Sequence, residues 1–327
     1  MKALVTGGAG FVGSHVVRQL LDQGRDVRVL VLPGEDESNL EGLNVERLEG
    51  DVRDAARMRE AVRDCDVVFH LAAVYALWLP RPELMREVNV EGTRNLLEAA
   101  RAEEVDRFVH CSSIAVFGGQ GPGRDATETS GFGLGPTHDI YSRSKYDGHR
   151  VAEGFASELD VVIVAPCGPV GPGDVGPTPT GKLLLAAMKL PAIVAIDTDT
   201  NFIHVRDVAA GHLLAAERGK TGESYLLGNE NLSFRELAVL IMEVTGNRKP
   251  IATVPRRVAR LGGRVGVRWA RHISGRAPYF TPAAIDIARL GLRADCSRAV
   301  TELGLPQTPI REALHDALKW FEIRGRV

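Results

Sequence analysis

Tyr141 and Lys145 stand in the string Tyr-Ser-Arg-Ser-Lys, a phenol and an amine at positions i and i+4. On a helix this spacing stacks both side chains on one face. An ammonium held beside a phenol favours the phenolate and lowers the tyrosine pKa from its reference of about 10, making Tyr141 a usable general acid or base near neutral pH. Much earlier in the chain, Thr6-Gly7-Gly8-Ala9-Gly10-Phe11-Val12-Gly13 follows a short apolar run. Glycines at a strand-to-helix turn let the backbone approach a pyrophosphate, whose charge the helix N-terminus stabilises. Alone, such a triplet also fits a tight turn that needs glycine for steric reasons. Together and in this order, the two strings describe a nucleotide cofactor site and a proton donor in one domain.

The elements that must position these groups follow from hydrophobic periodicity. Strands are expected at Lys2–Thr6, Asp26–Leu32, Val45–Glu49, Asp66–Leu71, Arg107–Ser112 and Val161–Ala165, with helices at Phe11–Gln23, Ala55–Arg63, Glu83–Ala102 and Tyr141–Ser157. This alternation predicts an α/β fold, a doubly wound parallel sheet with helices on both faces. Unbroken apolar runs such as Val67-Val68-Phe69 fit strands covered on both sides. From Gly168 to Gly181 the chain is dense in Gly and Pro, which marks a long loop. Further helices are expected at Asp207–Glu217, Phe234–Val244 and Ile310–Arg324. The expected organisation is a dinucleotide-binding domain over 1–167, rejoined by a segment around 192–228, and a smaller, mostly helical substrate lobe over 168–327.

Bulk properties narrow the class. A chain of 327 residues with 44% hydrophobic and 25% charged residues has the make-up of a globular protein with a large core. A formal net charge of -2 gives no electrostatic case for nucleic acid. The four cysteines lack metal-ligand spacing, so inert thiols in a reducing compartment and no bound metal are expected. Met1–Val5 is too short for a membrane span or signal segment, and a cytoplasmic protein is expected.

Three strand ends carry cofactor signals. Asp51-Val52 follows the third strand, where an aspartate can read an adenine amino group. Leu71-Ala72-Ala73 ends the fourth with the small residues a flat cofactor needs beside it. At the end of the second strand an acid would read a ribose diol and an arginine a 2′-phosphate. There the run Val29-Leu30-Val31-Leu32-Pro33-Gly34 has neither, although Glu35 and Asp36 can fold back and Arg53 can reach in. Lacking the acid that would repel a phosphate, this end favours NADP, with NAD still open.

After the fifth strand comes Cys111-Ser112-Ser113-Ile114-Ala115-Val116-Phe117-Gly118, where a hydroxyl can meet a substrate carbonyl. With Asn89-Val90-Glu91-Gly92-Thr93 and His204-Val205-Arg206-Asp207-Val208-Ala209, these strings resemble the extended short-chain dehydrogenase/reductase superfamily over nearly the whole chain. The resemblance implies that Ser113, Tyr141 and Lys145 are catalytic, and that Lys145 also bonds the nicotinamide ribose. It places Gly7, Gly10, Phe11, Val12, Gly13, Leu32, Asp51, Val52, Leu71, Ala72, Ala73, Tyr141, Lys145 and Pro166 at the cofactor. Asn89 would support the active-site backbone or merely bond its own helix, and His204 would be structural. Family members pair through the helices at Glu83–Ala102 and Tyr141–Ser157, which implies a homodimer.

Two branches compete. Leu77-Trp78-Leu79-Pro80, Val170-Gly171-Pro172-Gly173-Asp174 and Gly211-His212-Leu213-Leu214 resemble the dihydroflavonol 4-reductase and 3β-hydroxysteroid dehydrogenase group, together with proteins labelled hopanoid-associated sugar epimerases. Nucleotide-sugar epimerases and dehydratases carry an Arg-Tyr-Phe-Asn-like string after strand six. Here that run is Ala165-Pro166-Cys167-Gly168, without the donors a diphosphate needs. The small-molecule substrate is therefore expected to be a hydrophobic or aromatic ketone or its alcohol, met by Tyr75, Trp78, Ser113 and Phe132, with Phe117 nearby. Finally, Arg257, Arg260, Arg264, Arg268 and Arg271 recur at helical spacing with no acid between Glu243 and Asp286. A solvated face paired with acids elsewhere is the favoured reading; carrier phosphates or an anionic membrane are the alternatives.

Overall fold

The computed structural model describes all residues except 77, 136–138, 196–197, 254–255, 270–272, 274–280 and 327. In chain order the first part runs β1 (Lys2–Thr6), α1 (Phe11–Asp22), β2 (Asp26–Val31), β3 (Glu46–Glu49), α2 (Ala55–Val62), β4 (Val67–His70), α3 (Glu83–Arg86), α4 (Thr93–Ala102), β5 (Arg107–Cys111), α5 (Ile140–Phe155) and β6 (Val161–Pro166). It continues with β7 (Gly168–Val170), α6 (Pro179–Lys189), β8 (Ile193–Ala195), β9 (Asp199–His204), α7 (Val205–Arg218), β10 (Ser224–Leu227), β11 (Glu230–Ser233) and α8 (Phe234–Thr245). The chain closes with β12 (Ile251–Thr253), α9 (Arg256–Trp269), α10 (Pro282–Leu290) and α11 (Ile310–Ile323).

Seven parallel strands form the main sheet in the order β10-β6-β5-β4-β1-β2-β3, a Rossmann-like arrangement with helices on both faces. The order reverses between β1 and β4, which opens a crevice at the carboxyl ends of those strands. One apolar core lies under α1 and α7 and holds Val5, Val16, Val29, Phe69, Val164 and Val208. A second, under α2, α4 and α5, holds Leu4, Met58, Leu96, Phe108 and Ile163. Both faces are thus covered, which is why β4 and β6 are buried at every position and, His70 apart, apolar.

Of the segment 192–228, α7 and β10 join the layers of the main sheet, while β8 and β9 pair elsewhere. β9 lies between β11 and β7 in a three-stranded sheet, and β8 pairs with β12. These two small sheets, with α6, α8 and α11, enclose a third core around Leu184, Leu237, Leu314 and Phe321. The helix expected over Glu83–Ala102 is continuous but widens to a π-helical stretch at Glu87–Gly92. Gly148 of α5 packs there so closely that a Cβ on it would sit 2.3 Å from the Asn89 carbonyl oxygen. A π-turn inside a helix often marks a functional position, and here it presents Asn89.

Candidate active site

The carboxyl end of β5 and the first turn of α5 meet at the crevice. Asp139 caps α5, its carboxylate accepting from the Ser142 N–H at 2.7 Å, and this starts the helix just before Tyr141. Ser113 caps the short 3₁₀ turn Ile114–Val116 that follows β5. The two hydroxyls, Ser113 and Tyr141, are hydrogen-bonded, which stabilises the phenolate; burial is the larger influence and pushes the phenol well above its ordinary value. This corrects the expectation that Lys145 lowers it. Lys145 Nζ donates instead to the Cys111 carbonyl oxygen at 2.7 Å, and burial lowers its own pKa. Its ammonium lies buried beneath the site and is tied to the backbone of β5.

Asn89 clamps the segment after β4. Its side chain accepts from the Val74 N–H at 2.7 Å and donates to the Val74 carbonyl at 3.1 Å and to Ser144 Oγ at 2.9 Å. Support of the active-site backbone is therefore what this side chain does. One residue on, the Tyr75 ring lies 4.7 Å from that of Tyr141, and Tyr75 is 50% exposed. Trp78 is partly exposed beyond it, and Leu77 lies outside the described residues. Phe132 and Phe117 do not join them. Phe132 stacks on Tyr146, and Phe117 is buried edge-on against His149.

On the other side of the crevice, Gly7 has a φ of 70°, and a Cβ there would meet the Ala72 nitrogen at 2.8 Å and the Leu71 carbonyl carbon at 2.9 Å. Gly13 lies against Gly7, so that an added Cβ would fall 2.1 Å from the Gly7 carbonyl oxygen. Gly10 is the N-cap of α1 and has no side chain to cap it, so the N–H groups at Phe11, Val12 and Gly13 open toward the crevice. An anion is stabilised at such a helix start. Two side chains that the sequence reading passed over brace this turn. Asn39 Nδ2 donates to the Ala9 and Gly173 carbonyls at 3.1 and 2.9 Å, and His15 Nε2 bonds the Pro172 carbonyl oxygen at 2.8 Å. No local pattern marks either one. His70 ties the ends of β1 and β4 together through Thr6 Oγ1 at 2.8 Å and reaches Thr93 Oγ1 at 3.0 Å.

A sequence model of the NAD dependent epimerase/dehydratase family matches residues 3–228, the span that holds every one of these groups. The chain belongs to that family. This member is 38% identical over 99% of its length to a Synechocystis sp. protein provisionally named as a dihydroflavonol 4-reductase, 95% of which is covered. It is 35% identical to sterol demethylase protein B of Methylococcus capsulatus over 100% of both chains. The solved structure of DesIV, a dTDP-glucose 4,6-dehydratase from Streptomyces venezuelae with NAD and TYD bound, aligns with a TM-score of 0.79 at 25% identity, covering 99% of this chain and 98% of that one. Reductase relatives and a dehydratase neighbour thus surround an enzyme of the NAD-dependent oxidoreductase and epimerase type.

Against that background the remaining strand ends of this family member take shape. At β2, Leu32 is exposed and its N–H donates to the Glu35 carboxylate at 3.0 Å. The acid missing from the strand itself is delivered by the turn that follows. Asp51 pairs with Arg53 at 2.7 Å, and Arg53 also reaches Glu87 at 3.0 Å. At β6, Ala165, Pro166 and Cys167 are buried and bring no side-chain hydrogen-bond donor except the Cys167 thiol. His204 caps α7, its Nδ1 accepting from the Arg206 N–H at 3.0 Å, and its role is structural. Asp207 accepts from the Thr308 N–H and hydroxyl.

Proposed function

We propose that this enzyme is a nicotinamide-dependent ketoreductase acting on a hydrophobic or aromatic ketone, or on the alcohol in reverse. The observation that carries this reading is the Ser113–Tyr141 hydroxyl pair under the half-exposed Tyr75 ring, at a crevice whose β6 side offers no grip for a diphosphate. A bound nicotinamide supplies or accepts the hydride. Tyr141 gives its proton to the carbonyl oxygen as general acid, and Ser113 donates a hydrogen bond to the same oxygen. Burial around Tyr141 keeps the phenol protonated at neutral pH, the form that reduction requires. Lys145, held by the Cys111 carbonyl, would orient the cofactor ribose. Gly7, Gly10, Phe11, Val12 and Gly13 would hold the pyrophosphate, with Leu71, Ala72, Ala73 and Pro166 as walls. The relative named for sterol demethylation supports a bulky apolar substrate.

The expectation of NADP rested on a strand end without an acid. Glu35 folds back onto the Leu32 N–H and has Asp36 and Glu37 as neighbours, so a 2′-phosphate there would meet like charge. This supports NAD as the preferred form. The enzyme would work as a cytoplasmic homodimer, paired through the helical run 83–102 and α5.

The test is calorimetric titration with UDP and TDP beside an absorbance assay of NADH and NADPH over a panel of ketones. Net, stoichiometric NADH consumption with an apolar ketone and no binding of either nucleotide is expected. Clear UDP or TDP binding with sugar isomerisation and no net cofactor use would replace this reading with an epimerase.

A further inference from the structure

Helix α9 turns its apolar side outward. Val258, Leu261, Val265 and Trp269 are 61%, 64%, 63% and 58% exposed, and helical spacing puts them on one stripe. Its inner side is made of small residues, Ala259 and Gly263, both buried, and the helix packs on α10. Beside the apolar stripe runs a row of Arg260, Arg264 and Arg268. The helix holds five arginines and no acid. Arg260 pairs with Asp286 at 3.1 Å, whereas Arg264 and Arg268 have no acidic partner among the described residues. Arg271, the last of the expected row, lies outside the described residues. Among the arginines of this row whose side chains are described, the acid-paired face expected for this helix is met at Arg260.

We infer that α9 docks this protein onto an anionic lipid surface. An exposed apolar stripe flanked by arginines is the pattern of a helix lying in the membrane interface, where the apolar side chains enter the acyl boundary. Arginine stems cover apolar depth while their guanidinium groups reach phosphate, and a tryptophan at the helix end suits the headgroup level. Charge complementarity chooses the occupant. A second copy of this face would set arginine rows against each other with no acid between them, which is repulsive. Anionic headgroups match it along its whole length.

The position of α9 adds a consequence. Leu290 and Gly291, at the end of α10, accept from Gly121 and Gly119 N–H groups at 3.2 and 3.0 Å, in the loop that follows Ser113. The helix pair α9 and α10 is thus tied to the loop that leads away from Ser113. The docking itself does not rest on the reductase reading, and its test reads binding rather than turnover.

The full chain is floated with vesicles of phosphatidylcholine alone and with vesicles containing about one third phosphatidylglycerol. Flotation with the anionic vesicles, release by high salt and little or no flotation with the neutral ones are expected. Each of Arg264→Gln and Arg268→Gln weakens binding by about fivefold. The pair Leu261→Ser with Val265→Ser abolishes it, with an unchanged melting temperature because both side chains are exposed. No flotation with anionic vesicles overturns the inference, as does equal, salt-insensitive flotation with both kinds. Concentration-dependent self-association that the Leu261→Ser, Val265→Ser variant removes, without vesicle binding, would assign the face to a second copy and overturn it as well.

Discussion

The turn after β1 and the segment after β4 face each other across the crevice and are built in opposite ways. The turn is made of backbone packed on backbone. Gly7 touches the end of β4, Gly13 touches Gly7, and a single added carbon at either would collide with main-chain atoms. The segment after β4 is made of side chains on a backbone tied to Thr6 at Leu71 and Ala72 and pinned at Val74 by Asn89. Tyr75 is half exposed, and Trp78 is partly exposed beyond it. A wall of backbone fixes one ligand shape, while a wall of side chains changes with each substitution. Nucleotide binding belongs to the first wall, and in the proposed reaction substrate choice belongs to the second.

The largest effect should come from the group placed between the two walls. Tyr141→Phe removes the proton donor and leaves both sides standing, so turnover should fall roughly 10²–10⁴-fold while NADH binding stays within about twofold. Single-turnover kinetics with a fluorescence titration of NADH checks both halves. Turnover close to that of the unaltered enzyme would take Tyr141 out of the mechanism.

Gly13→Ala attacks the nucleotide wall. Its Cβ would fall 2.1 Å from the Gly7 carbonyl oxygen, and a backbone shift should cost about 1–3 kcal/mol of stability along with most of the NADH affinity. Gly154→Ala in α5 meets nothing within 4 Å and should be neutral or stabilise by about 0.5–1 kcal/mol. Equal behaviour of the two variants in thermal unfolding would erase the distinction between the walls.

Acid should act on the nucleotide wall as well, because its braces are buried neutral histidines. Burial lowers the braces His15 and His70 to about 4 and about 3, and it lowers His212, which bonds Val208 within α7, to about 4. A histidine whose folded pKa lies below its unfolded value of about 6.5 takes up protons on unfolding in that interval. Its contribution is complete above pH 6.5 and is lost as pH falls toward about 4. The melting temperature should therefore drop steadily from pH 6.5 to 4. His15→Gln, which keeps a donor for the Pro172 carbonyl, should flatten part of that slope. A slope unchanged in the variant would remove His15 from the account.

The smallest effect is expected on the substrate wall. Tyr75→Leu removes the ring that lies against Tyr141 and should raise KM for aromatic ketones several-fold, about 1 kcal/mol of lost contact, with NADH affinity unchanged. A fall in kcat with KM constant would instead mean that Tyr75 orients Tyr141.

The sequence by itself determined the frame. Hydrophobic period, glycines and caps are local signals, and they placed β1 to β6, α1, α2 and α5 within a residue or two of where they fold, in a doubly wound parallel sheet. The glycine turn and the Tyr141–Lys145 pair were legible for the same reason, since a helical turn and a tight bend are short-range geometry. What only the tertiary structure decided depends on residues far apart in the chain or on side-chain burial. Lys145 bonds the Cys111 carbonyl, and burial drives the Tyr141 pKa up. Tyr75 reaches Tyr141 while Phe117 and Phe132 pack elsewhere, and Asn39 ties the glycine turn to Gly173. Even Glu35, three residues from Leu32, depends on a turn that no periodicity specifies. Burial and long-range contact set the electrostatics of a site, and neither is a property of neighbouring residues along the chain.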